Sequence, residues 1–115
     1  MAKWEVETTG EYDAWFLEQG EDEQAVIRMK VELLAEYGPQ LSRPHADTLK
    51  GSRLSNLKEL RAQSLYHVFR VVFLFDAERK AILLIGGDKK GKNEKRFYKT
   101  LIKQAEEIYQ LYFDK

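Results

Sequence analysis

The sequence predicts an α+β fold with two N-terminal helices, a small antiparallel or mixed sheet of about four strands, and a C-terminal helix. Apolar residues recur at helical steps over residues 22–37 and again over 93–112. The chain between them carries β-branched and aromatic runs of strand length, two of which meet through a short turn. Strands joined by hairpins and flanked by runs of helix suit a sheet with segregated helices rather than a βαβ series. At 115 residues, with 43% hydrophobic and 12% aromatic, the chain fits one domain over residues 1–115. Such a domain buries roughly two-thirds of the surface that its unfolded chain would expose.

Each element has a local reason. Trp4-Glu5-Val6-Glu7 alternates as a half-buried strand does. Thr8 followed by Glu11 has capping-box spacing and opens a short helix that Gly20 closes. A second helix is expected over Asp22–Tyr37, with Val26, Met29, Leu33, Leu34 and Tyr37 as its apolar stripe and Gly38-Pro39 as its stop. Residues 38–56 are rich in Gly, Pro and Ser and read as loop. Strands follow at Leu57–Ala62, Val68–Phe75 and Ala81–Gly87, and the turn Asp76–Lys80 pairs the last two. Asn93 then caps a long helix whose buried stripe is Phe97, Leu101, Ala105, Ile108 and Tyr112.

Composition narrows the chemistry. With no cysteine there are no disulfides, thiolates or Cys metal sites. The first ten residues lack the apolar run of a signal peptide, and no segment is apolar enough to span a bilayer, so a cytoplasmic location is expected. Formal charge is zero, yet it is unevenly spread. Residues 1–47 hold 4 basic and 11 acidic side chains; residues 48–115 hold 15 and 8. That asymmetry implies either a face for a polyanion or charge blocks that interleave on folding.

Folding residues 61–70 as a hairpin centred between Leu65 and Tyr66 sets Arg61 opposite Arg70, with Glu59 on the same face as Arg61. Opposed like charges need an anion, either Glu59 on the diagonal or a ligand phosphate, for which a guanidinium fork is well shaped. The loop Gly86–Asn93 spells GxxxxGK, but Asn93 stands where a nucleotide-binding loop has Ser or Thr, and the flanking strands look antiparallel. What remains of the match is a helix N-terminus beside Lys89, Lys90, Lys92 and Lys95, which is either an anion site or a solvated basic loop. Tyr98 either widens the apolar stripe of the last helix or presents its ring and hydroxyl to a ligand. His45 and His67 lack metal-ligand spacing, so no metal is expected, and His67 is a candidate base beside the arginine pair.

Three segments in order resemble the phage-derived HigB-like branch of the RelE/ParE toxin superfamily. They are Leu49-Lys50-Gly51-Ser52-Arg53 leading to Leu57-Lys58-Glu59-Leu60-Arg61, then Phe69-Arg70-Val71-Val72-Phe73, then Leu84-Ile85-Gly86-Gly87-Asp88-Lys89. The resemblance implies a RelE-like ribonuclease fold and a toxin of a type II toxin–antitoxin system. Such a toxin is a ribosome-dependent endoribonuclease that cuts mRNA, without metal or cofactor, to 2′,3′-cyclic phosphate and 5′-hydroxyl ends. By position it assigns catalysis to Arg61, Arg70, Lys92 and Tyr98, and RNA contact to Lys50, Arg53, Lys58, Lys89, Lys90 and Lys95. Lys58 fits least well, because strand alternation turns it away from Arg61. Implied partners are a helix-turn-helix antitoxin, the ribosome and mRNA, with no small-molecule substrate. The alternatives within the same fold are a ParE-like inhibitor that binds DNA gyrase, and a catalytically inactive homologue that binds nucleic acid or a partner. Relatives that use a C-terminal histidine differ from this chain, which has none after His67.

Overall fold

A computed structural model describes residues 3–113. The first strand is β1 (Glu5–Thr8), followed by helices α1 (Gly10–Leu17) and α2 (Glu21–Tyr37) and a single 3-10 turn at Gly38–Gln40. Strands β2 (Ala46–Thr48), β3 (Lys58–Gln63), β4 (Val68–Phe75) and β5 (Lys80–Asp88) lead to the last helix, α3 (Glu94–Phe113). The sheet has five strands in the order β1-β5-β4-β3-β2, antiparallel except for β1, which runs parallel to β5. The α+β expectation holds, with one strand more than expected and helices on both faces of the sheet. β2 lies in the segment read as loop: Ala46-Asp47-Thr48 has no apolar alternation and is a strand only because it pairs with Leu60, Glu59 and Lys58.

Strand alternation divides the interior in two. Leu60, Phe69, Val71, Phe73 and Leu83 pack with Ile27 and Leu34 beneath α1 and α2. Leu57, Val72, Leu74, Ile82 and Leu84 pack with Phe97, Leu101, Ala105 and Ile108 of α3. Each of these side chains except Ala105 contributes about 1.5–3 kcal/mol on burial. The α3 stripe is as expected. That of α2 is rotated: Met29 and Tyr37 are more than half exposed, and Ile27, Val31 and Leu34 face the sheet.

The first cap also differs from expectation. Thr8 ends β1, and Thr9 is the N-cap of α1: its Oγ1 accepts from Tyr12 N–H at 3.0 Å and donates to Leu84 C=O at 2.6 Å. Glu11 therefore falls one position short of the capping-box place. Gly20 is the N-cap of α2 rather than the end of α1. Gly38 does stop α2, at φ 56°, with the Trp4 indole so close that a Cβ would collide with it. Among the described residues no helix is long and apolar enough to cross a membrane.

Candidate functional site

β3 and β4 place Arg61 directly opposite Arg70, as the hairpin arithmetic required. Both side chains, with Glu59, lie on the α3 face of the sheet, and Tyr98 comes down on them from the second turn of α3. The anion that reconciles the two arginines is Glu59, which is 3% exposed. Its Oε2 accepts from Arg61 Nε at 3.0 Å and Nη2 at 2.8 Å. Its Oε1 accepts from the Tyr98 hydroxyl at 2.7 Å and lies 3.5 Å from Arg70 Nε. Arg70 donates from Nε to the Tyr98 hydroxyl at 3.0 Å and from Nη1 to Phe69 C=O at 2.9 Å. The Tyr98 hydroxyl thus gives one hydrogen bond and takes one. Its ring packs at the margin of the α3 core, so Tyr98 belongs to the apolar stripe and to the polar cluster at once.

Electrostatics hold Tyr98 and Arg61 in fixed protonation states. Burial, and then the hydrogen bond to Glu59, push the Tyr98 hydroxyl above its ordinary pKa against the opposing effect of Arg70, so it stays a neutral phenol. Burial alone would lower the Arg61 guanidinium, but Glu59 outweighs it and holds the charge. The hydrogen bond from Lys89 lowers Glu94, and Arg70 and Arg61 lower it further, so the arginine field reaches the start of α3. Two guanidiniums, held by one carboxylate and one phenol, form a rigid array whose remaining N–H groups suit tetrahedral or pentacoordinate phosphate oxygens.

The β5–α3 loop divides its cations. Lys89 bonds Glu94 at 2.8 Å and stands 5.7 Å over the Tyr98 ring, whereas Lys92 lies 5.8 Å over the Phe97 ring. Lys92 therefore lines a groove of about 670 Å³ between Trp15, Gly86-Gly87 and Phe97-Leu101, and Lys89 is the loop cation at the cluster. Lys90 reaches Leu65 C=O at 3.4 Å, and Lys95 is exposed. The loop amides are not an open anion cradle. Asp88 Oδ1 takes the N–H groups of Val68 and Lys90, each at 3.0 Å, and Asn93 Oδ1 caps Arg96 N–H at 2.9 Å. Asp88 Oδ2 also lies 2.6 Å from His67 Nδ1. The His67 ring stacks on Phe69, which faces α1 and α2, so His67 is on the other side of the sheet from Arg70. It neighbours the arginine pair in sequence but does not join it.

The remaining candidates lie apart. Arg53 bonds Glu106 from its backbone N–H at 2.9 Å and Gln110 from Nη2 at 3.3 Å, beside the C-terminal half of α3. Lys58 shares the face of Leu60, opposite to that of Arg61, and Lys50 is exposed in the segment after β2.

Residues 14–110 match the family described as phage derived protein Gp49-like (DUF891). The chain belongs to this family. Over 95 residues it is 40% identical to the putative toxin HigB3 of Mycobacterium tuberculosis, covering 83% of this chain and 81% of that protein. It is 38% identical over 98 residues to the putative toxin HigB2 of the same organism, covering 84% of this chain and 48% of the relative's length. Its fold is similar to that of a mutant of the E. coli toxin RelE in the free state, at TM-score 0.60 and 14% identity, covering 89% of this chain and 99% of that one. It is also similar to an archaeal chain from the RelE–RelB complex of Pyrococcus horikoshii OT3, at TM-score 0.56 and 14% identity, covering 76% of this chain and 97% of the other. This Gp49-like chain is thus a homologue of the HigB proteins with a RelE-like fold.

Within the Gp49-like chain, Glu59 was legible only as a charge on the diagonal. The structure makes it the residue on which Arg61, Arg70 and Tyr98 converge. Lys30, in the acidic half of the sequence, had no reading at all, and it lines a concavity with both arginines.

Proposed function

We propose that this Gp49-like chain is the toxin of a type II toxin–antitoxin system and acts as a metal-independent endoribonuclease on mRNA at the ribosome. A cognate antitoxin of helix-turn-helix type keeps it inactive. The observation that carries this reading is the gathering of Arg61, Arg70 and the Tyr98 hydroxyl by Glu59 on one face. The names and the RelE-like fold of its relatives support it.

In the proposed reaction a ribose 2′-oxygen attacks the adjacent phosphorus and the 5′-oxygen leaves, giving a 2′,3′-cyclic phosphate and a 5′-hydroxyl. Arg61, with Lys89 over the Tyr98 ring, holds the non-bridging oxygens as negative charge builds on them, and the Tyr98 hydroxyl turns its one proton from Glu59 to one of them. Arg70, 7% exposed, positions Tyr98 and shares Glu59 with Arg61. The 2′-hydroxyl proton passes to a base and the leaving oxygen takes one from an acid. Glu59 is the carboxylate in contact with the cluster. Lys92, Lys90 and Lys95 extend the RNA surface around the start of α3, while Lys50, Arg53 and Lys58 belong to it less directly.

Glu59 also favours a second reading, because a carboxylate already neutralises the arginines: a homologue that binds RNA or a partner without cutting. Primer extension on translated mRNA after induction separates these readings. Cuts inside codons are expected. Intact mRNA with arrested growth would leave the binding homologue, and intact mRNA with DNA-damage signalling would leave a gyrase inhibitor.

A further inference from the structure

Lys30 lies on the face of α2 that packs against the sheet. With Ile27, Val31 and Leu34 it completes an i, i+3, i+4, i+7 stripe, the position where an apolar residue belongs. The chain spends that position on an ammonium group, half-buried, and fixes it: Lys30 Nζ donates to His45 Nδ1 at 2.7 Å. His45 is itself held, since its C=O accepts from Arg61 N–H at 2.7 Å where β2 ends and the edge of β3 opens. Around this edge lies a concavity of about 310 Å³ lined by Lys30, Pro44, Arg61, Ala62, Gln63 and Arg70. Three of its six lining residues are cationic and none is acidic. The carboxylates that interact with its two arginines are Glu59, Asp47 and Glu94, the last already bonded to Lys89. Asp47 Oδ2 is 2.8 Å from Arg43 Nε and 3.7 Å from Arg61 Nη2. Against these three stand five cations, Lys30, Arg43, Arg61, Arg70 and Lys89, so positive charge is left over at a dent in the surface.

We propose that Lys30, with Arg61 and Arg70, forms a second phosphate-binding subsite, and that single-stranded RNA crosses the open edge of β3 from the Tyr98 cluster on one face to α2 on the other. The inference rests on the RNA-cleaving reading and extends it to a residue outside the Tyr98 cluster. The chemistry is that of a phosphodiester. Two guanidiniums with planar donors and one ammonium, a point charge, match an anion of several equivalent oxygens. The His45 contact holds the ammonium at the rim, so little side-chain freedom remains to be lost on binding.

The test uses the full chain and a fluorescein-labelled 12-nucleotide 2′-O-methyl RNA, which binds but cannot be cleaved. Binding is followed by anisotropy over a range of salt. Lys30→Gln is expected to weaken binding at least 5-fold at low salt and to make the log–log salt slope shallower by about 0.7, the signature of one lost single-strand phosphate contact. Lys30→Arg should bind within 2-fold of wild type, and so should Lys103→Gln, an equal change of charge at an exposed position on α3. Lysine-reactive footprinting of the wild-type protein, which needs no variant to fold, should show RNA protecting Lys30 and not Lys103. A Lys30→Gln variant that binds like wild type, or a Lys30 left reactive under bound RNA, overturns the subsite and leaves the RNA reading standing. Wild-type protein that binds no RNA overturns both. Poly-glutamate displacing the RNA at equal phosphate and carboxylate concentrations would assign the dent to an acidic polypeptide instead.

Discussion

Glu59 sits where three demands meet. It neutralises two arginines that face each other across β3 and β4, and it accepts the Tyr98 hydroxyl. A carboxylate this deeply buried stabilises only while its partners remain, and removing any one member leaves charge uncompensated. Glu59→Gln keeps the shape and removes the charge. It is expected to cost about 3–5 kcal/mol in urea unfolding, as is Arg70→Ala. Arg70→Ala is therefore a poor test of catalysis, since lost activity would accompany lost fold. Unfolding midpoints within error of wild type for both variants would contradict this account of the cluster. Tyr98→Phe is more discriminating. Losing its hydroxyl strands one donor on Arg70 and one acceptor on Glu59, at about 1.5–3 kcal/mol for bonds to charged groups. Assayed where the variant remains folded, it should also cut cleavage roughly 10²-fold. A folded Tyr98→Phe variant with wild-type cleavage would confine the hydroxyl to holding Glu59 and Arg70.

Asp88 ties the ends of β4 and β5 together, as Glu59 ties β3 and β4 to α3. Its two oxygens hold Val68 N–H, Lys90 N–H and His67, tying the β3–β4 turn to the loop that starts α3. Burial alone would raise its pKa, and the hydrogen bonds from His67, Val68 and Lys90 overcome that and hold it below the ordinary 3.8. A lowered folded pKa means stability that is present above about pH 3.8 and is lost as pH falls through the lower folded value. The stability gap between wild type and Asp88→Asn is thus expected to be full at neutral pH and to shrink below about pH 3.8. A gap that widens on acidification would reverse the sign and refute the assignment. This tie was hidden in the sequence, where Asp88 reads as one letter of a phosphate-loop pattern. The helices, the β3–β4–β5 meander and the opposition of Arg61 to Arg70 were legible because each is set by local periodicity or by counting out from a turn. What was not legible depends on partners far away in the chain. β1 is parallel to β5 across some 75 residues, β2 exists only against β3, and Thr9 rather than Thr8 caps α1 because its hydroxyl also reaches Leu84.

Across the whole molecule, the split between an acidic first half and a basic second half survives folding only in part. Arg53 is engaged by Glu106 and Gln110 near the far end of α3, Lys89 is paired with Glu94, and Lys58 faces away from the arginines. Lys30, from the acidic half, crosses over to the arginine side. The residues between Lys50 and Lys99 therefore do not form one continuous basic patch, and a count of cations overstates what RNA meets. With Arg61 and Lys30 at the edge of β3, Arg70 buried behind them on β4 and one or two loop lysines beside Tyr98, about three to five phosphates can be neutralised together, the lower figure leaving Arg70 out. At about 0.7 per single-strand phosphate, the log–log slope of RNA affinity against salt is expected near −2 to −3.5, despite zero formal charge. Anisotropy titrations of the free protein between roughly 50 and 200 mM salt measure it. A slope of −5 or steeper would mean that Arg53, Lys50 and Lys58 join one track, which their placement opposes. A slope near zero would mean that Glu59, Asp47 and Glu94 neutralise the arginine side fully in the free protein, so that any nucleic-acid contact would have to follow their release.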